Sequence, residues 1–285
     1  MSHTPVVDSH QHFWNLDRFS YFWMQGDAIR PLQRDFGPDD LGPLLRENGV
    51  DATVLVQALM SVDETRWFME TAAATPFVAG VVGWVDLLAP DVAEVIAGLR
   101  ARPDGWTLVG ARHMVQDEPD PDWLLQPAVR RGLLALAEAG LAYDLLLKPP
   151  QIAAATRLCA ELPEVRFVVD HIAKPPIASG EIAAWRAAMA PFAGMPHVSC
   201  KLSGMITEAD WAGWRPEHLE PYVQQTMEWF GEDRVMFGSD WPVCLLAGGY
   251  GQVKAALEQA LGPVSPVARA KIWGGNAIRF YGLEL

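Results

Sequence analysis

Residues 6–12, Val6-Val7-Asp8-Ser9-His10-Gln11-His12, are an apolar, β-branched entry followed by two histidines two positions apart. Alternate residues of a strand share a face, so Asp8, His10 and His12 project together. Near the other end, Val235-Met236-Phe237-Gly238-Ser239-Asp240-Trp241-Pro242 repeats the plan, an apolar run that ends in a polar group. Two imidazoles on a first strand and a carboxylate on a last one become neighbours if the sheet closes on itself. Such a cluster suits the activation of water, by a metal or by acid/base chemistry, so hydrolysis is the first function to weigh.

Between these ends the same pattern recurs. Apolar runs begin near Val6, Ala52, Phe77, Leu108, Ala142, Val165, Val198 and Val235. Stretches of helical spacing lie between them, such as Trp123 to Ala139, Ile182 to Met189 and Pro221 to Phe230. Alternating strand and helix signals imply a parallel sheet. Eight such units in 285 residues predict an α/β fold, a (β/α)8 TIM barrel, as a single domain over residues 1–285. A doubly wound open sheet is the competing architecture, but no glycine-rich phosphate turn follows any strand. The first connection, from Phe13 to about Val50, is the longest and is rich in aromatics (Phe13, Trp14, Phe19, Tyr21, Phe22, Trp23). Over a barrel mouth it would serve as a lid or a pocket wall.

Composition narrows the function. Half the residues are hydrophobic and 20% are charged, enough for a large core. With 22 Lys and Arg against 35 Asp and Glu, the net charge of −13 weighs against nucleic acid or an anionic membrane as partner. Three scattered cysteines read as ordinary thiols of a reducing compartment. No basic segment followed by an apolar stretch opens the chain, and the apolar region around Phe77 to Val85 is too short to span a bilayer. A cytoplasmic protein is expected, with a small-molecule substrate and with homo-oligomers left open.

The strand ends carry the chemistry. His171 ends the sixth run and Asp240 the eighth, which with His10 and His12 gives three nitrogens and one oxygen suited to zinc or manganese. Without an ion, the same imidazoles can polarise a carbonyl by hydrogen bonding. Asp240 is read as the general base rather than as a turn-capping aspartate. Arg112 can grip a substrate through its planar fork, with His113, Lys148 and Lys201 as weaker substrate contacts. Asp8 is read as orienting a histidine or a lysine, and Asp170 as structural because alternation turns it away from His171. Trp14, Trp23, Trp84 and Trp241 lie where aromatic walls could take a sugar ring.

The stretches Val7-Asp8-Ser9-His10-Gln11-His12-Phe13-Trp14, Arg112-His113, Val169-Asp170-His171-Ile172-Ala173-Lys174-Pro175 and Phe237-Gly238-Ser239-Asp240-Trp241-Pro242 resemble the lactonase branch of the amidohydrolase superfamily. The segment Gln116-Asp117-Glu118-Pro119-Asp120-Pro121-Asp122-Trp123 is similar to its sugar-lactone hydrolases. The resemblance implies a distorted barrel and hydrolysis of a lactone to its hydroxy acid. It places the counterparts of His10, His12 and His171 around the metal or the substrate carbonyl, Asp240 as base, and Arg112 and His113 at the substrate. Strand four offers no lysine for carboxylation and strand five no histidine, so a binuclear centre is not expected. The branch admits one divalent ion or none, and one is favoured. A metal-dependent decarboxylase and a non-catalytic sugar-acid sensor are the rival readings.

Overall fold

A computed structural model describes residues 4–285. Eight parallel strands lie in chain order around one sheet: β1 (Val7–Gln11), β2 (Ala52–Val56), β3 (Val78–Gly83), β4 (Leu108–His113), β5 (Ala142–Leu145), β6 (Phe167–Val169), β7 (Val198–Leu202) and β8 (Val235–Phe237). Helices α1 (Pro38–Asn48), α2 (Val62–Ala74), α3 (Val92–Arg100), α4 (Pro127–Glu138), α5 (Ile152–Glu161), α6 (Ile182–Met189), α7 (Pro216–Phe230) and α8 (Tyr250–Leu261) follow the strands in turn. Two short helices, α9 (Pro266–Ala270) and α10 (Asn276–Tyr281), close the chain. The expected barrel is present, and a doubly wound sheet is excluded by the strand order.

The strands are buried along their whole length, as parallel strands covered by helices must be. Valines 7, 54, 56, 82 and 168 and Met236 fill the barrel interior, and Ala277, Tyr281 and Leu283 plug its lower end. Helix α7 starts more than a turn before the predicted Pro221, at Pro216. A proline suits the first helical position because its missing N–H would be unpaired there anyway. The segment predicted from Trp123 divides into a short 3-10 turn, Trp123–Leu125, and α4, which likewise starts on a proline.

The distortion sits at the seam between β1 and β8. Regular pairing there gives way to one isolated bridge, Gln11 to Trp241, and to individual hydrogen bonds. The Asp240 amide donates to the His10 carbonyl (2.8 Å) and the His12 amide to the Trp241 carbonyl (2.7 Å). Buried Asp8 accepts from the Ser239 amide (2.8 Å) and the Tyr250 hydroxyl (2.9 Å), and so ties the seam together. Asp8 therefore fixes backbone, where the sequence suggested that it orients a ring.

After β6 the chain makes a left-handed turn. His171, Ile172, Ala173 and Lys174 all have φ between 47° and 57°, and Asp240 has φ 58°. Left-handed backbone costs a residue with a side chain roughly 1–2 kcal/mol. The turn is held by the Lys174 amide on the His171 carbonyl (2.8 Å) and by the Trp185 indole on the Ile172 carbonyl (2.8 Å). It also defeats strand alternation, so Asp170 and His171 both reach the barrel interior.

The first connection packs on itself. Trp14 meets Trp23, Phe36 and Tyr21 through tilted or edge-on contacts, and Phe36 in turn meets Trp241. Trp23 donates to the Ala58 carbonyl (2.8 Å), so the position of the loop after β2 sets that of the indole. That loop hangs on Glu64, a buried carboxylate that accepts from the Ala58 and Leu59 amides.

Two outcomes are expected from this scaffold. A Cβ on Gly204 (φ 61°) would lie 2.4 Å from the His171 ring. Gly204→Ala is therefore expected to cost more than about 1 kcal/mol, or roughly 2–4 °C in Tm. An unchanged Tm would mean that the ring yields freely. Burial raises the Glu64 carboxyl to about 7, so the native state holds a proton that the unfolded chain releases near 4.5. Its contribution to stability is full below pH ~4.5 and is lost as pH rises through ~7. Thermal unfolding between pH 5 and 8 should show a declining Tm, less steep in Glu64→Gln; identical slopes would contradict the assignment.

Candidate active site

At the C-terminal end of the barrel lies a cleft of about 150 Å³, lined by His12, Trp23, Ala58, Arg112, Met114, Gln116, Asp117, Leu146, His171, Lys174, Asp240 and Val243. The seam delivers His10, His12 and Asp240, and the left-handed turn delivers His171. The Asp240 Oδ1 lies 3.3 Å from His12 Nε2 and 3.8 Å from both His10 Nε2 and His171 Nε2. Four residues spread over more than 200 positions thus converge on one carboxylate oxygen.

Each ring is set by a partner. His12 Nδ1 is 2.7 Å from the Val56 carbonyl, so that nitrogen carries the proton and donates. In the neutral ring, Nε2 then aims a lone pair at Asp240. His171 Nδ1 meets the Ser203 hydroxyl at 2.9 Å. His10 lies deeper: its Nδ1 faces Asp170 (3.3 Å) and Lys201 (3.2 Å), and its Nε2 faces Arg112 Nη1 (3.1 Å). Burial lowers all three imidazoles, His171 to about 4 and His10 well below its usual range. Burial alone would raise the Asp240 carboxyl, but His171 and His12 outweigh it and hold the carboxyl well below the carboxylate range.

Lone pairs facing a carboxylate at this distance need a proton or a cation between them. His10, His12 and Asp240 present ligand atoms within 4.8 Å of one another. Tetrahedral ligands about 2.0–2.1 Å from a zinc ion would stand about 3.3 Å apart, close to the His12–Asp240 separation. Among the described residues, the donor set that fits a single divalent ion is therefore His10, His12 and Asp240, with His171 facing the same carboxylate oxygen at 3.8 Å. His10 is the least free of the four, because the Arg112 guanidinium already covers its Nε2. His10, Asp170 and His171 form a second grouping within the same reach.

Beneath the cluster lies a buried charge network. Lys201 Nζ bonds Asp144 Oδ2 (2.5 Å) and lies 3.1 Å from Asp170 Oδ1, while Arg112 Nη1 bonds Asp170 Oδ2 (3.0 Å). Lys201, Asp144 and Asp170 are wholly inaccessible and Arg112 nearly so. Burial would push the Asp170 carboxyl up, but Lys201, His10 and Arg112 keep it well below its usual range. The Tyr281 hydroxyl on α10 completes the set by donating to Asp144.

Several sequence expectations need correction. Asp170 was read as turned away and structural, whereas it sits at the centre of this network, because the left-handed turn removes strand alternation. Lys201 was read as a substrate contact but is spent on two carboxylates below the cleft. Arg112 lines the cleft, yet Nε goes to Gln57 Oε1, one Nη2 proton to the Gln57 carbonyl, and the Nη1 protons to Asp170 and His10. Of its five N–H groups one remains for a ligand.

The weaker candidates lie off the cleft. His113 points to the outside of the sheet, stacks on Trp123 at 4.1 Å, accepts from Trp84 and donates to Glu118. Trp84 is engaged in that contact, and Trp241 (1% exposed) packs between Phe13 and Phe36 in the core. Lys148 stands half-exposed at the rim, 3.4 Å from Asp117. Of the four tryptophans singled out in the sequence, Trp23 alone lines the cleft.

Sequence reasoning passed over Gln57, Asp144, Gln116, Asp117 and Lys174 as site residues. A signal was there for Asp144, an acidic residue inside the apolar run Ala142-Tyr143-Asp144-Leu145. None marked Gln57, which earns its place through Arg112, 55 residues away.

Comparison with known proteins agrees with this geometry. The family described as amidohydrolase matches residues 7–283. An L-fucono-1,5-lactonase of Burkholderia ambifaria is 43% identical over 98% of this chain and 96% of its own length. An L-fucono-1,5-lactonase of Burkholderia multivorans is 40% identical over 97% and 96%. A crystal structure of an amidohydrolase from Burkholderia multivorans with bound zinc superimposes with a TM-score of 0.92 at 39% identity, covering 98% of this chain and all of that one. With its barrel, its paired histidines on β1 and its aspartate after β8, this chain belongs to the amidohydrolase family, in the branch that contains the sugar-lactone hydrolases.

Proposed function

We propose that the chain hydrolyses a sugar lactone of the aldono-1,5-lactone type, with Asp240 as the base that activates water. One observation carries this reading: a buried carboxylate whose Oδ1 lies 3.3–3.8 Å from nitrogens of three imidazoles in the lining of a small cleft. The identity to two L-fucono-1,5-lactonases over nearly the whole chain supports the substrate class.

The chemistry follows from the groups in place. Asp240 accepts a proton as water attacks the carbonyl carbon of the ring. The carbonyl oxygen gains negative charge, and the remaining N–H of Arg112 is a donor available to it, worth ~3–4 kcal/mol when well placed. Asp240 then returns the proton to the departing ring oxygen, which leaves as a hydroxyl group, and the product is the open hydroxy acid. A divalent ion held by His10, His12 and Asp240 would supply Lewis acidity and lower the pKa of water to ~7. Trp23 offers its apolar face to the C–H side of a sugar ring.

The three cysteines are free and buried, and no helix among the described residues is long and apolar enough to cross a membrane. A cytoplasmic enzyme suits these facts.

Asp240→Asn is expected to lower kcat on an aldono-1,5-lactone about 10²–10⁴-fold while Tm changes by a few degrees. Near-normal turnover would refute the assignment, and release of carbon dioxide in place of acid would favour the decarboxylase reading. Calorimetric titration of chelator-treated protein with zinc should show one binding event that His12→Ala abolishes. No heat of binding would leave the residues alone to do the chemistry.

A further inference from the structure

We infer that Gln116 and Asp117, on the turn after β4, read the hydroxyl groups of the substrate and restrict the cleft to neutral, polyhydroxylated lactones. This rests on the proposed lactone hydrolysis and deepens it. Both residues line the same cleft as Asp240 and His171. Gln116 Oε1 is buried and has no hydrogen-bond donor, while its Nε2 reaches Asp117 Oδ2 at 3.4 Å. That contact orients the amide, because reversing it would set two oxygens against each other. The Gln116 amide donates to the Leu146 carbonyl at 3.0 Å, so the end of β5 holds the turn in position.

Asp117 is also under-used. Its Oδ1 has a long contact, 3.4 Å, with Lys148, whose side chain is 48% exposed. A carboxylate has about four acceptor positions, and most of these stay open. One wall of the cleft therefore presents acceptors that lack donors.

The cations of the cleft point to the same class of ligand. Arg112 is paired with Asp170, and Lys174 lies 3.6 Å from Glu208. Arg112 and Lys174 each have a carboxylate of their own, and Asp117, in its long contact with Lys148, adds a carboxylate to the lining. A carboxylate carried on the side of the substrate away from the lactone carbonyl would find Arg112 and Lys174 already paired and would face Asp117. Hydroxyl groups donate, and so complete the acceptors of Gln116 and Asp117. A lactone lacking them would leave Gln116 Oε1 buried and unpaired, the arrangement by which a site rejects the analogue without the hydroxyl.

The test is kinetic. Gln116→Met keeps the side-chain volume and removes the acceptor. It is expected to lower kcat/KM for a hexono-1,5-lactone roughly 10- to 100-fold with Tm unchanged. Against a set of hexonolactones that each lack one hydroxyl, the loss should vanish for the one whose missing hydroxyl Gln116 reads. A uronic-acid lactone bearing a free carboxylate should be a poor substrate, improved by Asp117→Asn relative to the neutral lactone. Equal losses on every deoxy lactone, no loss on any, or efficient wild-type turnover of the carboxylated lactone would overturn the proposal. Failure of the wild-type protein to hydrolyse any hexonolactone would instead defeat the underlying function.

Discussion

Two cations and two carboxylates, Lys201, Arg112, Asp144 and Asp170, meet in the centre of the barrel, and only Arg112 keeps a trace of exposure, to the cleft. Taking four charges out of water is expensive, and removing one partner of a buried pair typically costs 3–5 kcal/mol. An apolar core would hold the barrel equally well, so the network is best understood by what it positions. His10 has both ring nitrogens enclosed by it, through Asp170 and Lys201 on one side and Arg112 on the other. His10 in turn shares the Asp240 oxygen with His12 and His171. The surroundings of the Asp240 carboxylate are thus set in part by charges placed one layer below.

The backbone makes a second contribution. Asp240 and His171 are both left-handed although neither is glycine, and His171 begins a run of four such residues. Strain of this kind persists where surrounding structure over-determines it, and it clusters at functional sites. Here the surroundings are the seam bonds for Asp240, and the Trp185 indole, Ser203 and the bare Cα of Gly204 for the turn at His171. Left-handed backbone lets residues 170 and 171 both face inward, one toward the charge network and one toward the cleft. Regular strand backbone would have sent one of them outward.

Much of this was legible in the sequence, and its limits have a physical cause. All eight strands begin within two residues of the apolar runs that predicted them, because parallel strands buried on both faces must be continuously apolar. The alternation of His10 and His12 brought both rings to the cluster around Asp240, but β1 is irregular after Asp8, whose carboxylate turns instead to the seam and to Tyr250 on α8. Asp170 was misplaced because alternation was carried past the last strand residue into a left-handed turn. Lys201 was misread, and the pairing of Arg112 was missed, for a different reason: long cationic side chains are claimed by partners 55 to 191 residues away, and no local pattern records those partners. Trp241 looked like a pocket wall from its place beside Asp240, yet the aromatic cluster of the first connection draws it into the core.

The central claim is that the Asp240 carboxylate acts on water and does not itself attack the lactone. A single turnover in H₂¹⁸O, with enzyme in excess over an aldonolactone, separates the two directly. Water activated by Asp240 leaves one ¹⁸O in the carboxylate of the hydroxy acid on the first turnover. An unlabelled acid, with the isotope recovered on Asp240 after digestion, would contradict the account.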